Sequence, residues 1–336
     1  QVMALANPIT DLLLNAGLIL VVLVGALRVN AGLMPPGQIV AFMTYFTLIQ
    51  SATLGLAKVF VKVSKGAASA RRIQEVLLAT EQQRRTAPLP AGGGFLGMDR
   101  VTFSYQGAKP DVEEASFLLR RGGMLGILGP TGSGKSTLAA LLLRLYDADR
   151  GVVWVDGTDV KAQDRRALQS RFGVVFQSDD LIRGTIGENI AFLRDLPRPA
   201  VEAAARTAQA WSFISRLPQG LDTPLDLGGA NLSGGQRQRL LIARALAGRP
   251  EILVLDNADS ALDYATAAAL RQALRRDFPD TTLVVISERV SAVREADCIL
   301  VLENGRIDAQ GRHQELLASC RRYQRMARLQ MGGDAG

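Results

Sequence analysis

The sequence predicts a chain in two parts, membrane-spanning α-helices followed by an α/β nucleotide-binding domain. Three observations carry this. Two uncharged apolar runs lie before residue 58, a polar stretch rich in Pro and Gly follows, and a glycine-rich phosphate-binding motif then joins an apolar strand to an apolar helix. The length of 336 residues suits two domains, or three, at ~100–200 residues each. Apolar residues at 48% and charged residues at 21% exclude long-range disorder and allow a sizeable buried core.

The first run, LLLNAGLILVVLVGAL (12–27), is bounded by Asp11 and Arg28, and Ile9 and Val29 extend it towards a span. The second, PGQIVAFMTYFTLIQSATLGLA (36–57), meets the roughly 20 residues needed to cross a ~30 Å hydrocarbon core. A pair of buried soluble helices is the alternative. A signal peptide fits less well, because no basic leader precedes the run and no small-residue cleavage pattern follows it. Pro35, Pro36 and Gly37 make the turn between the runs short, so an antiparallel hairpin is expected.

Lys58, Lys62, Lys65, Arg71 and Arg72 follow the second run, whereas the turn holds only Arg28. The positive-inside rule then makes the later end cytoplasmic. Basic residues number 39 against 32 acids, a net charge of +7, and +4 of that lies in residues 1–80. The excess is thus a topology signal: membrane lipid is an expected partner and nucleic acid is not. The second helix is expected to run on to Ala79. A linker is expected over 81–94, with the boundary near Ala91, and the nucleotide-binding domain over 95–336.

Cys298 and Cys320 are too few for a disulfide framework, and Cys298 reads as a small core residue. His313 is the only histidine, which removes multi-histidine metal sites and Ser-His-Asp triads. It reads as a surface helix residue.

Residues 129–136 (Gly129, Pro130, Thr131, Gly132, Ser133, Gly134, Lys135, Ser136) fit G-x-x-x-x-G-K-[ST], with Thr137 continuing into the helix. Glycines let backbone N–H groups wrap phosphates, and a helix N-terminus favours negative charge. Lys135 reaches the β/γ oxygens of ATP and Ser136 can ligate Mg²⁺. EILVLD (251–256) is an apolar strand ending in Asp256, a residue type that holds the Mg²⁺ shell in P-loop ATPases.

Between them lies LSGGQ (232–236), followed by the basic amphipathic segment RQRLLIARALAG. With this motif the chain resembles ATP-binding-cassette (ABC) proteins of exporter type. The resemblance implies an α/β P-loop (RecA-like) ABC ATPase domain with a helical subdomain, preceded by the last two membrane helices of a half-transporter. It also implies that Ser233, Gly234, Gly235 and Gln236 close on ATP held by an opposite subunit. Tyr105 in VTFSYQG matches the adenine-stacking aromatic. Gln177 in GVVFQSDD matches the glutamine that senses Mg²⁺ and communicates with the membrane domain. Ser260–Asp263 matches the loop crossing the dimer interface, and 184–190 and 301–317 also resemble exporters. Such families use six membrane helices per subunit, so four are expected to be truncated or to lie on another polypeptide.

Two departures from the family pattern carry information. A catalytic glutamate usually follows the strand aspartate, and this chain has Asn257, which orients water but accepts no proton. Loss of a general base typically costs ~10²–10⁴ in rate. A histidine at the γ-phosphate is replaced by Glu288. A carboxylate ~4 Å from a phosphate charge is opposed by roughly 4 kcal/mol at an effective dielectric of 20. Glu288 is therefore expected to point away, to be protonated, or to weaken closure around ATP. A deliberate trap substitution would account for Asn257 but not for Glu288. Leu227 and Gly228 stand where exporters commonly carry a Glu-Arg pair. The expectation is a heterodimeric exporter-type transporter in a bacterial inner membrane, with its ATPase domain cytoplasmic. This chain's P-loop site would be degenerate, and its signature would complete a partner site that retains the glutamate and the histidine. The substrate, whether small molecule, lipid or peptide, is not readable. A soluble ABC ATPase and an ATP-gated channel or regulator are the alternative classes.

Overall fold

A computed structural model describes residues 2–78, 94–107 and 109–331 of the chain. It separates into two compact units, Gln1–Gln82 and Gln83–Gly336. Of the linker expected over 81–94 only Gly94 is described; Ala79 and the boundary near Ala91 lie outside the described residues.

In the first unit, helix α1 (Val2–Asn30) and helix α2 (Pro36–Leu77) form a hairpin. Helix α1 ends in a Schellman motif: Leu33 N donates to Arg28 O and Gly32 N to Val29 O, with Gly32 at φ +69°. Pro36 then opens α2 at the first helical position, where the missing N–H has no intrahelical partner to lose. Small residues bring the helices together. A Cβ on Gly17 would lie 2.9 Å from the Phe46 ring, and one on Gly25 3.0 Å from Ile39. Within α2 the hydroxyls of Thr44, Thr47 and Thr53 donate to the carbonyls of Val40, Met43 and Ile49, so these polar groups are satisfied by their own helix.

The windows Leu12–Asn30 and Pro36–Glu75 have mean hydropathies of 2.4 and 1.5, long and apolar enough to cross a bilayer. Only 6% and 0% of these windows is buried, which speaks against the soluble-core alternative.

The second unit begins with strands β1 (Leu96–Phe103), β2 (Val112–Leu119) and β3 (Met124–Leu128), then helix α3 (Lys135–Leu142). Next come β4 (Arg150–Val155), β5 (Thr158–Asp159), α4 (Arg165–Ser170) and β6 (Phe172–Val175). A largely helical insertion follows: β7 (Gly184–Thr185), α5 (Ile186–Ala191), α6 (Arg198–Thr207), α7 (Trp211–Ile214), β8 (Pro224–Leu225) and α8 (Gly234–Ala247). The chain then makes β9 (Ile252–Asp256), α9 (Tyr264–Asp277), β10 (Thr282–Ser287), α10 (Val290–Val293), β11 (Cys298–Glu303) and β12 (Arg306–Gly311). It closes with α11 (His313–Ser319) and α12 (Arg321–Met331).

One sheet has the order β2-β1-β4-β5 and is antiparallel. The central sheet runs β12-β11-β3-β10-β9-β6, parallel except for the edge strand β12. Its central strands β3, β9 and β10 are buried almost throughout, as a covered parallel sheet requires, whereas the edge strand β12 is polar and partly exposed. Leu125 and Ile127 of β3, with Val284 and Ile286 of β10, face a core shared with α3 and the antiparallel sheet. Leu128, Val285 and Val301 face a second core built with α8 and the C-terminal helices.

Candidate functional site

Ligands of open α/β folds gather beyond the carboxyl ends of the parallel strands, and here four adjacent strands deliver the predicted residues to that edge. β3 leads into 129–136, β6 into Gln177, β9 ends in Asp256 with Asn257 next, and β10 leads into Glu288. A cavity of about 370 Å³ is lined by Thr131, Gly132, Gly134, Lys135, Ser136, Thr137, Gln177, Asn257 and Glu288. Gly134 sits at φ +98°, and a Cβ there would lie 2.7 Å from Asp111 O, so only glycine closes this turn. The loop lets α3 begin at Lys135 with its N-terminal N–H groups and dipole towards the cavity. Lys135 is buried, and its Nζ donates to Gly129 O at 2.9 Å and Pro130 O at 2.8 Å.

The Ser136 hydroxyl donates to Asp256 Oδ2 at 2.7 Å, linking loop to strand. Burial pushes the Asp256 pKa up, against the lowering effect of the Ser136 hydrogen bond and the Lys135 charge. Asp256 Oδ1 is buried and without a hydrogen-bond partner among the described residues, as is Ser133 Oγ. A buried unpaired acceptor costs about 1–3 kcal/mol, so Asp256 is suited to a cation or its water shell. Among the described residues no three His, Cys, Asp or Glu side chains cluster as a metal cage.

Asn257 takes a left-handed backbone at φ +52°, a region asparagine enters more readily than most residues, and its N–H donates to Ile286 O at 2.8 Å. Glu288 points towards the phosphate loop: Thr131 Oγ1 donates to its Oε1 at 2.7 Å, and Lys135 Nζ lies 3.6 Å from the same oxygen.

Tyr105 is absent from the cavity lining but adjoins it, its hydroxyl 3.5 Å from Thr137 Oγ1. Its half-exposed ring packs edge-on against Phe103 and Tyr146. Ser233–Gln236 lie elsewhere, at the start of α8. Ser233 is the N-cap in a reciprocal box, with Gln236 N donating to Ser233 Oγ and Ser233 N to Gln236 Oε1. Gly234 is exposed and its Cβ position meets nothing within 4 Å. Asp263 caps α9 by accepting from Thr266 N. Leu227 is 79% exposed, unusual for leucine, in the stretch where the Glu-Arg pair is missing.

One expectation is corrected. His313 is half-buried rather than a free surface residue, because its Nδ1 sits 2.7 Å from the hydroxyl of the fully buried Tyr323. Burial and the nearby Arg294 push its pKa down, and burial raises that of Tyr323 to about 12.

Sequence reasoning missed several groups at the site. Asn304 and Gly305 turn β11 into β12, and Gly305 N donates to Ser133 O, bracing the phosphate loop. The Asn-Gly pair between apolar runs was the available signal. Asp111 supplies Oδ2 to Tyr105 N at 2.9 Å. Tyr146 carried no signal beyond its place after the P-loop helix.

Residues 112–260 match the ABC transporter family. An ABC transporter ATP-binding protein of Mycobacterium tuberculosis is 38% identical over 336 residues, covering 97% of this chain and 57% of the relative. The cyclolysin secretion/processing ATP-binding protein of Bordetella pertussis is 39% identical, covering 100% of this chain and 48% of its own length. The mycobactin import ATP-binding/permease protein of Mycobacterium tuberculosis is 40% identical over 91% of this chain and 36% of its own. The solved structure of a bacterial Atm1-family ABC exporter with ATP bound superposes with a TM-score of 0.70 at 34% identity, covering 89% of this chain and 53% of that one. The chain spans about half the length of the curated relatives it matches.

Proposed function

We propose, from the premise that this chain carries an ABC transporter ATPase domain and shares the fold of exporter-type half-transporters, that it is one subunit of a heterodimeric transporter with a hydrolytically impaired P-loop site. The helices of residues 1–80 belong to the membrane part, 81–94 is the linker, and 95–336 is the ATPase domain on the cytoplasmic side of a bacterial inner membrane. ATP binds between this P-loop and a partner's signature. Gly129, Thr131, Gly132, Ser133, Gly134, Lys135, Ser136 and Thr137 cradle its phosphates, and Tyr105 takes the adenine. Ser136, Gln177 and Asp256 hold Mg²⁺, which when bound offsets charge on the β- and γ-phosphates.

The observation that carries the impaired-site reading is Asn257. It lines the cavity directly after Asp256, where a carboxylate would polarise the attacking water, and its amide takes up no proton. Ser233, Gly234, Gly235 and Gln236 are pre-capped and accessible, which suits them to completing the partner's site. That partner supplies the missing glutamate and histidine. Relatives named for secretion and for import both resemble the chain, so the proposal covers translocation of a small molecule, lipid or peptide and not its direction.

The test follows the fate of bound nucleotide. The purified complex, held in excess γ-labelled ATP with Mg²⁺, should keep triphosphate bound at this P-loop uncleaved while the partner site turns over. Replacing Lys135 with Ala should remove that ATP. Complete conversion to ADP at both sites would contradict the reading.

A further inference from the structure

The impaired-site reading leaves open what Glu288 does, and the structure gives that carboxylate a definite place. Its Oε1 accepts from Thr131 Oγ1 at 2.7 Å and lies 3.6 Å from Lys135 Nζ, inside the P-loop cavity. Lys135 is the residue that meets the terminal phosphates in a P-loop. The side chain is not an incidental visitor, because the backbone carrying it is held from two directions. From the C-terminal helix α12, Gln330 Nε2 donates to Glu288 O and Gln330 Oε1 accepts from Val290 N, both at 2.7 Å. From the other side, Ser287 Oγ donates to Asp259 Oδ1 and accepts from Arg289 N. The Arg289 guanidinium donates to the carbonyls of Asp259 and Ser260.

We propose that Glu288, positioned by Gln330, makes this P-loop a site that binds a nucleoside diphosphate at least as tightly as the triphosphate. The carboxylate competes with a third phosphate for Thr131 and Lys135 and repels its charge, whereas the α- and β-phosphates are also met by the backbone N–H groups of the loop, which Glu288 does not engage. Glu288 is thus a specificity-determining residue, and Gln330 a positioning residue that acts through it. The inference rests on the nucleotide-site reading above but not on whether bound ATP is cleaved.

The test is equilibrium binding of ATP and of ADP, each with Mg²⁺, to the full chain in lipid nanodiscs, with Lys135→Ala defining the signal from this site. The wild type should bind ADP as tightly as ATP or more so. Glu288→Gln should tighten ATP about tenfold or more while changing ADP less than about threefold. Gln330→Met removes both hydrogen bonds at similar volume. It should shift the ATP-to-ADP ratio in the wild-type background and leave it unmoved in Glu288→Gln, an outcome that a general loss of fold would not give. Equal changes for both nucleotides in Glu288→Gln, or a wild type that strongly prefers ATP, would overturn the proposal. Either result would leave the fate of bound ATP, and with it the impaired-site reading, standing on its own measurement.

Discussion

Asp256 is buried at the end of β9 with one oxygen bound to Ser136 and the other unpaired. Burial raises its pKa above the value it has in the unfolded chain. The folded protein therefore binds more protons over the carboxylate range, so without nucleotide its stability falls as pH rises from about 4 towards the raised value. In Asp256→Asn that limb of the stability profile should flatten, and Mg²⁺-dependent nucleotide binding should drop by at least about tenfold; thermal unfolding across pH and a binding titration check the two parts. At this scale much was legible. The phosphate loop, Asp256, Asn257 and the signature are local patterns whose chemistry depends on residue type and spacing. The resemblance placed Glu288 near the γ-phosphate but left open which way its carboxylate points; its bond from Thr131, 157 residues away, exists only through the pairing of β3 with β10. His313 misled for a similar reason. Its partner Tyr323 lies on the next helix, and a polar residue at a helix start looks exposed until that helix docks.

Among the elements, α8 does more than present the signature. Its Arg244 donates to Asn189 O at 3.0 Å, Asn189 Oδ1 at 2.9 Å and Asp180 O at 2.9 Å, and its guanidinium lies over the Phe192 ring. Burial lowers its pKa, yet arginine stays charged, so these are charge-assisted bonds. They tie α8 to α5 and to the segment that follows Gln177. Arg244→Met should destabilise the ATPase domain by about 2–3 kcal/mol by taking this donor from the main-chain carbonyls of Asn189 and Asp180, while Asn189 Oδ1 keeps its bond from Ile182 N. Arg244→Lys should rescue little of this, since a point charge cannot serve three acceptors in fork geometry; chemical unfolding of both variants decides it. The helices themselves were readable from apolar runs and caps. The second apolar run was expected to continue as helix past Lys58, and α2 extends to Leu77 because no proline or glycine pair interrupts it. The short strands β5, β7 and β8 had no periodicity to betray them. Two residues cannot show alternation, and each exists only through its pairing with β4 or with the other.

At the scale of the whole molecule, the two units carry different physics. The first exposes Leu12, Ile19, Phe42 and Ile49 by 60% or more, a surface that water does not tolerate and lipid or further helices do. The second buries its apolar residues in two cores, one on each side of a parallel sheet, and keeps its chemistry at the strand ends. The same asymmetry divides the proposed labour. The P-loop of this chain lacks a base and carries a competing carboxylate, whereas its signature is intact and capped. The most direct test of that division compares two variants in the purified complex by steady-state ATPase rate. Ser233→Ala removes the group proposed to meet the partner's nucleotide and should cut turnover roughly 10²-fold, whereas Asn257→Ala should change it less than about twofold. Equal losses from the two substitutions would contradict the account.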